Sequence, residues 1–84
     1  MIHKATEKFW QEFYSLPKEV KILANKNFAL LKSNPNHPSL QFKKLGKLWS
    51  VRVGSGYRGL ALLQGNVYFW IWIGSHAEYD KKIK

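Results

Sequence analysis

Residues Leu48 to Ile73 read LWSVRVGSGYRGLALLQGNVYFWIWI, and this stretch decides the fold. It is rich in β-branched and aromatic residues and is cut twice, at Gly54-Ser55-Gly56 and at Gly65-Asn66. That pattern predicts strands at Leu48–Val53, Tyr57–Gln64 and Val67–Ile73, with a further strand near Leu40–Leu45 ahead of the Gly46-Lys47 link. Connections this short force antiparallel neighbours.

Turn length then sets which side chains meet. If Gly65-Asn66 is a two-residue turn, Leu62 lies opposite Phe69, Leu60 opposite Ile71 and Arg58 opposite Ile73, while Ala61 meets Trp70 and Gly59 meets Trp72. Trp49, Val51, Val53, Gly59, Ala61, Trp70 and Trp72 are thereby expected on one face, beneath helices. The Gly54-Ser55-Gly56 link decides where the arginines go. An odd loop sets Arg52 directly across from Arg58; an even one sends them to opposite faces. A three-residue loop with Gly56 left-handed is the common odd solution. Like charges directly opposite destabilise a sheet, so a chain that keeps this pair is expected to seat an anion on it. The same face carries Ser50, Leu60, Leu62, Phe69 and Ile71. Its aliphatic part needs a cover, either Tyr79 and Ile83 from the C-terminal segment or a partner's apolar peptide.

Upstream the apolar period is helical. Thr6 can cap a short first helix in which Phe9/Phe13 and Trp10/Tyr14 are i,i+4 pairs. Leu16-Pro17 breaks and restarts the helix, and PKEVKILANKNFALLKS carries Val20, Leu23, Ala24, Phe28 and Leu31 at helical spacing. Asn34-Pro35 ends it, and Asn36 to Ser39 reads as a loop. Downstream, Ser75-His76-Ala77-Glu78 is a capping-box pattern that starts a last helical turn or two at Ser75. The expected fold is α+β: two N-terminal helices packed on an antiparallel three- to four-stranded meander, with a short C-terminal helix. A chain of 84 residues is too short for a second core, so residues 1–84 are expected to form a single domain.

Charge narrows the partners. Fourteen Lys+Arg against five Asp+Glu leave a formal +9, with a pI near 10. Nucleic acid, a ribosome or an acidic protein suits such a field. The lysines are scattered, whereas the only two arginines are Arg52 and Arg58, whose planar forks can bind phosphate with two parallel hydrogen bonds. Without cysteine there is no disulfide framework and no zinc–thiolate site. Met1-Ile2-His3-Lys4 lacks the apolar run of a signal peptide. The longest apolar run, Val67 to Ile73, is far short of the roughly 20 residues of a membrane helix. A cytoplasmic protein without membrane contact is expected. The five carboxylates (Glu7, Glu12, Glu19, Glu78, Asp80) show neither metal-site nor paired-acid spacing. Ser55 lies outside any G-x-S-x-G pattern, and no phosphate loop is present. Any enzymatic activity is therefore expected to need neither metal nor cofactor.

Of the three histidines, His3 and His37 read as solvated residues of a terminus and a loop. His76 follows the strand that runs beside Arg58 and takes the first helical position, where the helix dipole and neighbouring cations disfavour imidazolium. A neutral imidazole near two arginines can act as a general base; a plain first-turn residue is the alternative.

In order, the motifs LP, NPNHPSL, WSVRVGSGYR and WIGSHAEYD resemble the RelE/ParE toxin superfamily over roughly Leu16 to Asp80. The resemblance implies the toxin of a toxin–antitoxin pair, with a cognate, acidic antitoxin as partner. RelE-like members cut mRNA on the ribosome without metal, through attack of the ribose 2′-OH on its own phosphate; ParE-like members inhibit DNA gyrase. By motif, Arg58 matches the phosphate-binding arginine and Arg52 a second basic group. His76 falls where a catalytic histidine or arginine stands, and Tyr79 at a C-terminal tyrosine. Lys43, Lys44 and Lys47 are the expected RNA- and phosphate-contacting lysines. Two features depart from the pattern. Some relatives open with a β-strand, whereas here the first helix is expected almost at once, leaving one sheet edge open; and Ser50 stands where some carry lysine. The reading implied is a ribosome-dependent mRNA endonuclease, with a gyrase inhibitor or a non-catalytic RNA- or antitoxin-binding protein as alternatives.

Overall fold

The computed structural model describes residues 2–83. The elements in chain order are β1 (Ile2–Ala5), α1 (Glu7–Tyr14), α2 (Lys18–Ser33), a 3-10 turn (Pro38–Leu40), β2 (Lys43–Leu45), β3 (Leu48–Val53), β4 (Tyr57–Gln64), β5 (Val67–Ser75) and α3 (His76–Lys82). The strands form one sheet in the order β1-β5-β4-β3-β2. The α+β architecture is the expected one, and β3 and β4 have the expected bounds. The first strand segment is shorter, confined to Lys43–Leu45, because Pro38–Leu40 turns as a 3-10 helix and Gln41 takes a left-handed φ of 43°.

One strand was not expected. β1 runs parallel to β5, pairing Ile2 with Val67 through Ala5 with Trp70. The edge expected to be open is therefore occupied, and β5 lies inside the sheet. Thr6 joins strand to helix: its N–H and hydroxyl both donate to the Trp70 carbonyl, at 3.0 and 3.1 Å. The same hydroxyl oxygen accepts the Phe9 N–H and so caps α1. His3, expected in a solvated terminus, instead stacks on Tyr68 and Trp70 and accepts the Trp70 indole N–H on Nδ1 at 3.1 Å. Burial, with Lys32 close by, pushes its imidazole below the usual histidine range.

Helices α1 and α2 cover one face of the sheet. The core between the layers holds Phe9, Phe13, Ala24 and Leu31 from the helices with Val51, Val53, Ala61, Trp70 and Ile73 from the strands. Most of the expected helix-facing residues are there, and Trp49 packs at its border. Trp72 is the exception. Leu62 pairs with Phe69 and Ala61 with Trp70 as expected, but Leu60 pairs with Trp72, Gly59 with Ile73 and Arg58 with Gly74. Ile71 is left without a partner, a β-bulge that shifts the register by one residue beyond it. A shift of one moves every following side chain to the other face. Trp72 therefore joins the opposite side and Ile73 takes its place under the helices.

On that opposite side Leu60, Trp72 and Tyr79 form a second, smaller core, bordered by Leu45, Leu48 and Ile71. Helix α3 supplies the cover, as expected of the C-terminal segment. Tyr79 does this from a buried position, while Ile83 remains 44% exposed. The expected capping box is complete: the Glu78 N–H donates to Ser75 Oγ, and the Ser75 N–H reaches back to the Glu78 carboxylate. Among the described residues no helix is long and apolar enough to cross a membrane.

Candidate active site

The β3–β4 hairpin decides the geometry. Val53 pairs with Tyr57, which makes Gly54-Ser55-Gly56 a three-residue loop, and Arg52 pairs directly with Arg58. The odd loop was expected; its left-handed residue was not. Gly54 carries the positive φ, at 63°, and Gly56 does not. The Arg52 Nε donates to the Gly54 carbonyl at 3.0 Å, and an Asn27 amide from α2 donates to the Arg52 carbonyl at 3.1 Å. Arg58 donates one Nη1 bond to the Tyr57 carbonyl at 2.8 Å. Each guanidinium thus gives one of its N–H donors to a local carbonyl, and the rest of each fork remains to face an anion.

Helix α3 closes the same end of the sheet. Its first N–H, from His76, donates to the Gly56 carbonyl at 2.8 Å, docking the helix on the hairpin loop. The Tyr79 ring centre lies 5.9 Å from the Arg58 guanidinium carbon, within cation–π reach, and 6.2 Å from the His76 ring. Arg52 and Arg58 therefore form a cross-strand row on β3 and β4, and Tyr79 of α3 lies next to both Arg58 and His76. Gly74 pairs with Arg58 on the other side, and a Cβ there would sit 2.4 Å from the Trp72 ring. Only a hydrogen fits between the second core and this row. Ser50, on the same face, is 2% exposed and lies under it rather than at the surface.

Sequence reasoning missed Asp80. The His76 Nε2 lies 3.3 Å from its carboxylate, with the two side chains 47% and 50% exposed. Cations are expected around this imidazole from the sequence, whereas the structure sets a carboxylate of its own helix against it. The i,i+4 spacing of His76 and Asp80 was the available signal. The contact sets a carboxylate against Nε2 and leaves Nδ1 outside it, the placement of a group that can orient an imidazole.

The lysines do not gather with the arginines. Lys43 pairs with Ser50 and Lys44 with Trp49, so alternation puts Lys43 on the arginine face and Lys44 on the helix side. Lys47 sits in the turn at the far end of β3 from Arg52, about 16 Å away at the usual rise per residue. Among the described residues, no group of three or more His, Cys, Asp or Glu side chains converges.

No family model matches the sequence, and no curated protein matches it either. Solved structures do. The RelB–RelE antitoxin–toxin complex from Methanococcus jannaschii aligns with a TM-score of 0.73 at 14% identity, over 96% of this chain and 99% of that one. YafQ from E. coli strain BL21(DE3) gives 0.73 at 14% identity, over 92% and 94%. A YoeB/ParE toxin from Agrobacterium tumefaciens gives 0.69 at 16% identity, over 90% and 99%. The chain has the RelE fold.

Proposed function

We propose that this protein, a single domain over 1–84, is the toxin of a toxin–antitoxin pair and a metal-independent mRNA endonuclease that acts on the ribosome. The observation that carries the reading is the Arg52–Arg58 cross-strand pair, with Tyr79 next to both Arg58 and His76. Two like charges opposite each other cost stability in a sheet and are relieved by an anion between them. A phosphodiester is such an anion.

In the proposed step, a ribose 2′-oxygen attacks the adjacent phosphorus. Its proton goes to Nδ1 of His76, whose ring Asp80 orients through Nε2. The new 2′-O–P bond forms as the P–O5′ bond breaks, leaving a cyclic phosphate and a 5′-oxygen that takes a proton from water. Arg52 and Arg58 meet the charge that grows on the equatorial oxygens, where preorganised donors act most strongly. Tyr79 holds Arg58 from beneath and is a positioning residue. The formal +9 complements both RNA and an acidic antitoxin. The M. jannaschii relative was solved with its antitoxin bound, which supports the partner reading.

The test is single-turnover cleavage of mRNA on programmed ribosomes, with binding assayed separately. His76→Ala is expected to slow cleavage by about 10²–10⁴-fold, the usual contribution of a proton-transfer group, with little change in binding. Wild-type cleavage by His76→Ala removes His76 from the mechanism. Absence of cleavage by the wild type, with DNA breaks in its place, turns the assignment to gyrase.

A further inference from the structure

A groove of about 410 Å³ opens between β1, α1 and α2, on the helix side of the sheet and away from the arginine row. Its lining includes His3, Trp70, Phe28, Trp10, Asn25 and Lys32. Trp10 is 42% exposed, and it stacks on Tyr14, itself 67% exposed, with ring centres 6.0 Å apart and planes 27° from parallel. Nothing on α1 or α2 covers this pair, although large aromatics are the side chains that gain most from burial.

We infer that this groove and the Trp10–Tyr14 stack form a second RNA contact, which takes one unstacked base against Trp10 and the next against Tyr14. The chemistry of the lining selects that occupant. The two exposed rings are adjacent, with centres 6.0 Å apart and planes 27° apart, and stacking on such rings is indifferent to base identity. Asn25 offers an amide donor and acceptor to a base edge, and the Lys32 ammonium a phosphate contact. The formal charge of +9 favours a polyanion over an apolar or basic peptide. The volume falls inside the range of small-ligand pockets. The contact rests on the RNA-directed reading above, but it involves none of the proposed catalytic residues.

The experiment is fluorescence anisotropy of a labelled single-stranded RNA octamer with the intact protein at fixed salt, beside an octamer of the same length with abasic positions. Tyr14→Ala, at the more exposed position, and Trp10→Ala are each expected to weaken binding of the ordinary strand by about fivefold to a hundredfold, the range for one lost stacked base. Trp10→Phe should restore most of it. Neither variant should alter binding of the abasic strand, because the lysines remain. Arg58→Ala, which removes a phosphate contact, should weaken the ordinary and the abasic strand alike, whereas Tyr14→Ala and Trp10→Ala weaken only the ordinary one, which separates this contact from the cleavage site. Wild-type affinity in Tyr14→Ala and Trp10→Ala, or equal losses on both strands, overturns the contact while leaving the endonuclease reading standing. Loss of cleavage activity with these stacking effects intact would do the reverse.

Discussion

The two glycines of the arginine hairpin are expected to respond oppositely to alanine, and the size of the difference follows from their surroundings. At Gly54 φ is +63°, and an added Cβ would meet Leu23 Cδ2 at 2.6 Å. The left-handed conformation costs a residue with a Cβ about 1–2 kcal/mol. The Leu23 contact adds less, since it is the far end of a flexible side chain. At Gly56 φ is not positive and nothing lies within 4 Å of the added carbon. Replacement there mainly restricts the unfolded chain and should stabilise by about 0.4–1 kcal/mol. The gap between Gly54→Ala and Gly56→Ala is thus about 1.5–3 kcal/mol. For a domain of this size each kcal/mol moves Tm by about 4–8 °C, so the variants should melt roughly 6–24 °C apart, Gly56→Ala the higher. Calorimetry or circular dichroism melts of both, with wild type between them, are the measurement. Equal melting points refute the assignment of the left-handed residue to Gly54. The reverse order would restore Gly56 to that role and with it the loop geometry read from sequence. Because Arg52 Nε bonds the Gly54 carbonyl, Gly54→Ala should also lower cleavage, whereas Gly56→Ala should not.

Four further outcomes are expected. Gly74→Ala should destabilise by about 1–3 kcal/mol through overpacking against Trp72; in the double variant with Trp72→Leu, much of that loss should disappear, and simple additivity would argue against the contact. Arg58→Lys keeps the charge but loses the fork, so single-turnover cleavage should still fall, by an amount approaching the 10²–10³-fold of a lost oxyanion donor; undiminished cleavage would deny the fork a role. Ribosome or RNA affinity should drop steeply between 50 and 200 mM salt, and a flat titration would count against any nucleic-acid target. The His3 imidazole is held below its ordinary pKa of 6.5, so the unfolded chain binds a proton more readily than the native one. Its stability contribution is then full above that value and is lost as pH falls below it. Wild type should lose more stability than His3→Asn between pH 7 and 5, and parallel curves would contradict the burial.

What the sequence disclosed followed from how redundantly each feature was encoded. Strands β3 and β4 end at paired turn signals, so their bounds could be read to the residue. Helix α3 was announced by both members of its capping box, Ser75 and Glu78. The Arg52–Arg58 pairing needed only the parity of a loop. The features that escaped are those in which local pattern carries no phase. In Tyr68-Phe69-Trp70-Ile71-Trp72-Ile73 every residue is apolar, so either register buries equally well on sequence grounds, and the bulge at Ile71 leaves no trace. Packing decides it: with Trp72 moved across, its ring covers Gly74 and meets Leu60 and Tyr79, while the smaller Ile73 fits beneath the helices.

Strand β1 was invisible for a different reason. Four residues containing a histidine and a lysine have no usable period, and their pairing partner, Val67 to Trp70, lies more than sixty residues away in the chain. Only the assembled sheet supplies the reason for Ile2 to Ala5 to be extended. The candidate site shows the same division. Its arginines were legible because they sit on regular strands, and Tyr79 and His76 because a capping box sets where their helix begins. Asp80 is less conspicuous: one surface carboxylate carries no metal or acid-pair spacing, and only its i,i+4 relation to His76 marks it. Asp80 is nevertheless the carboxylate that the structure sets against His76 Nε2. Lys43, Lys44 and Lys47, close together in sequence, are dispersed by the sheet: Lys43 falls on the arginine face, Lys44 on the helix side, and Lys47 in the turn at the far end of β3. Proximity in sequence is a poor guide to a binding surface on a sheet, where neighbours face apart and partners come from other strands.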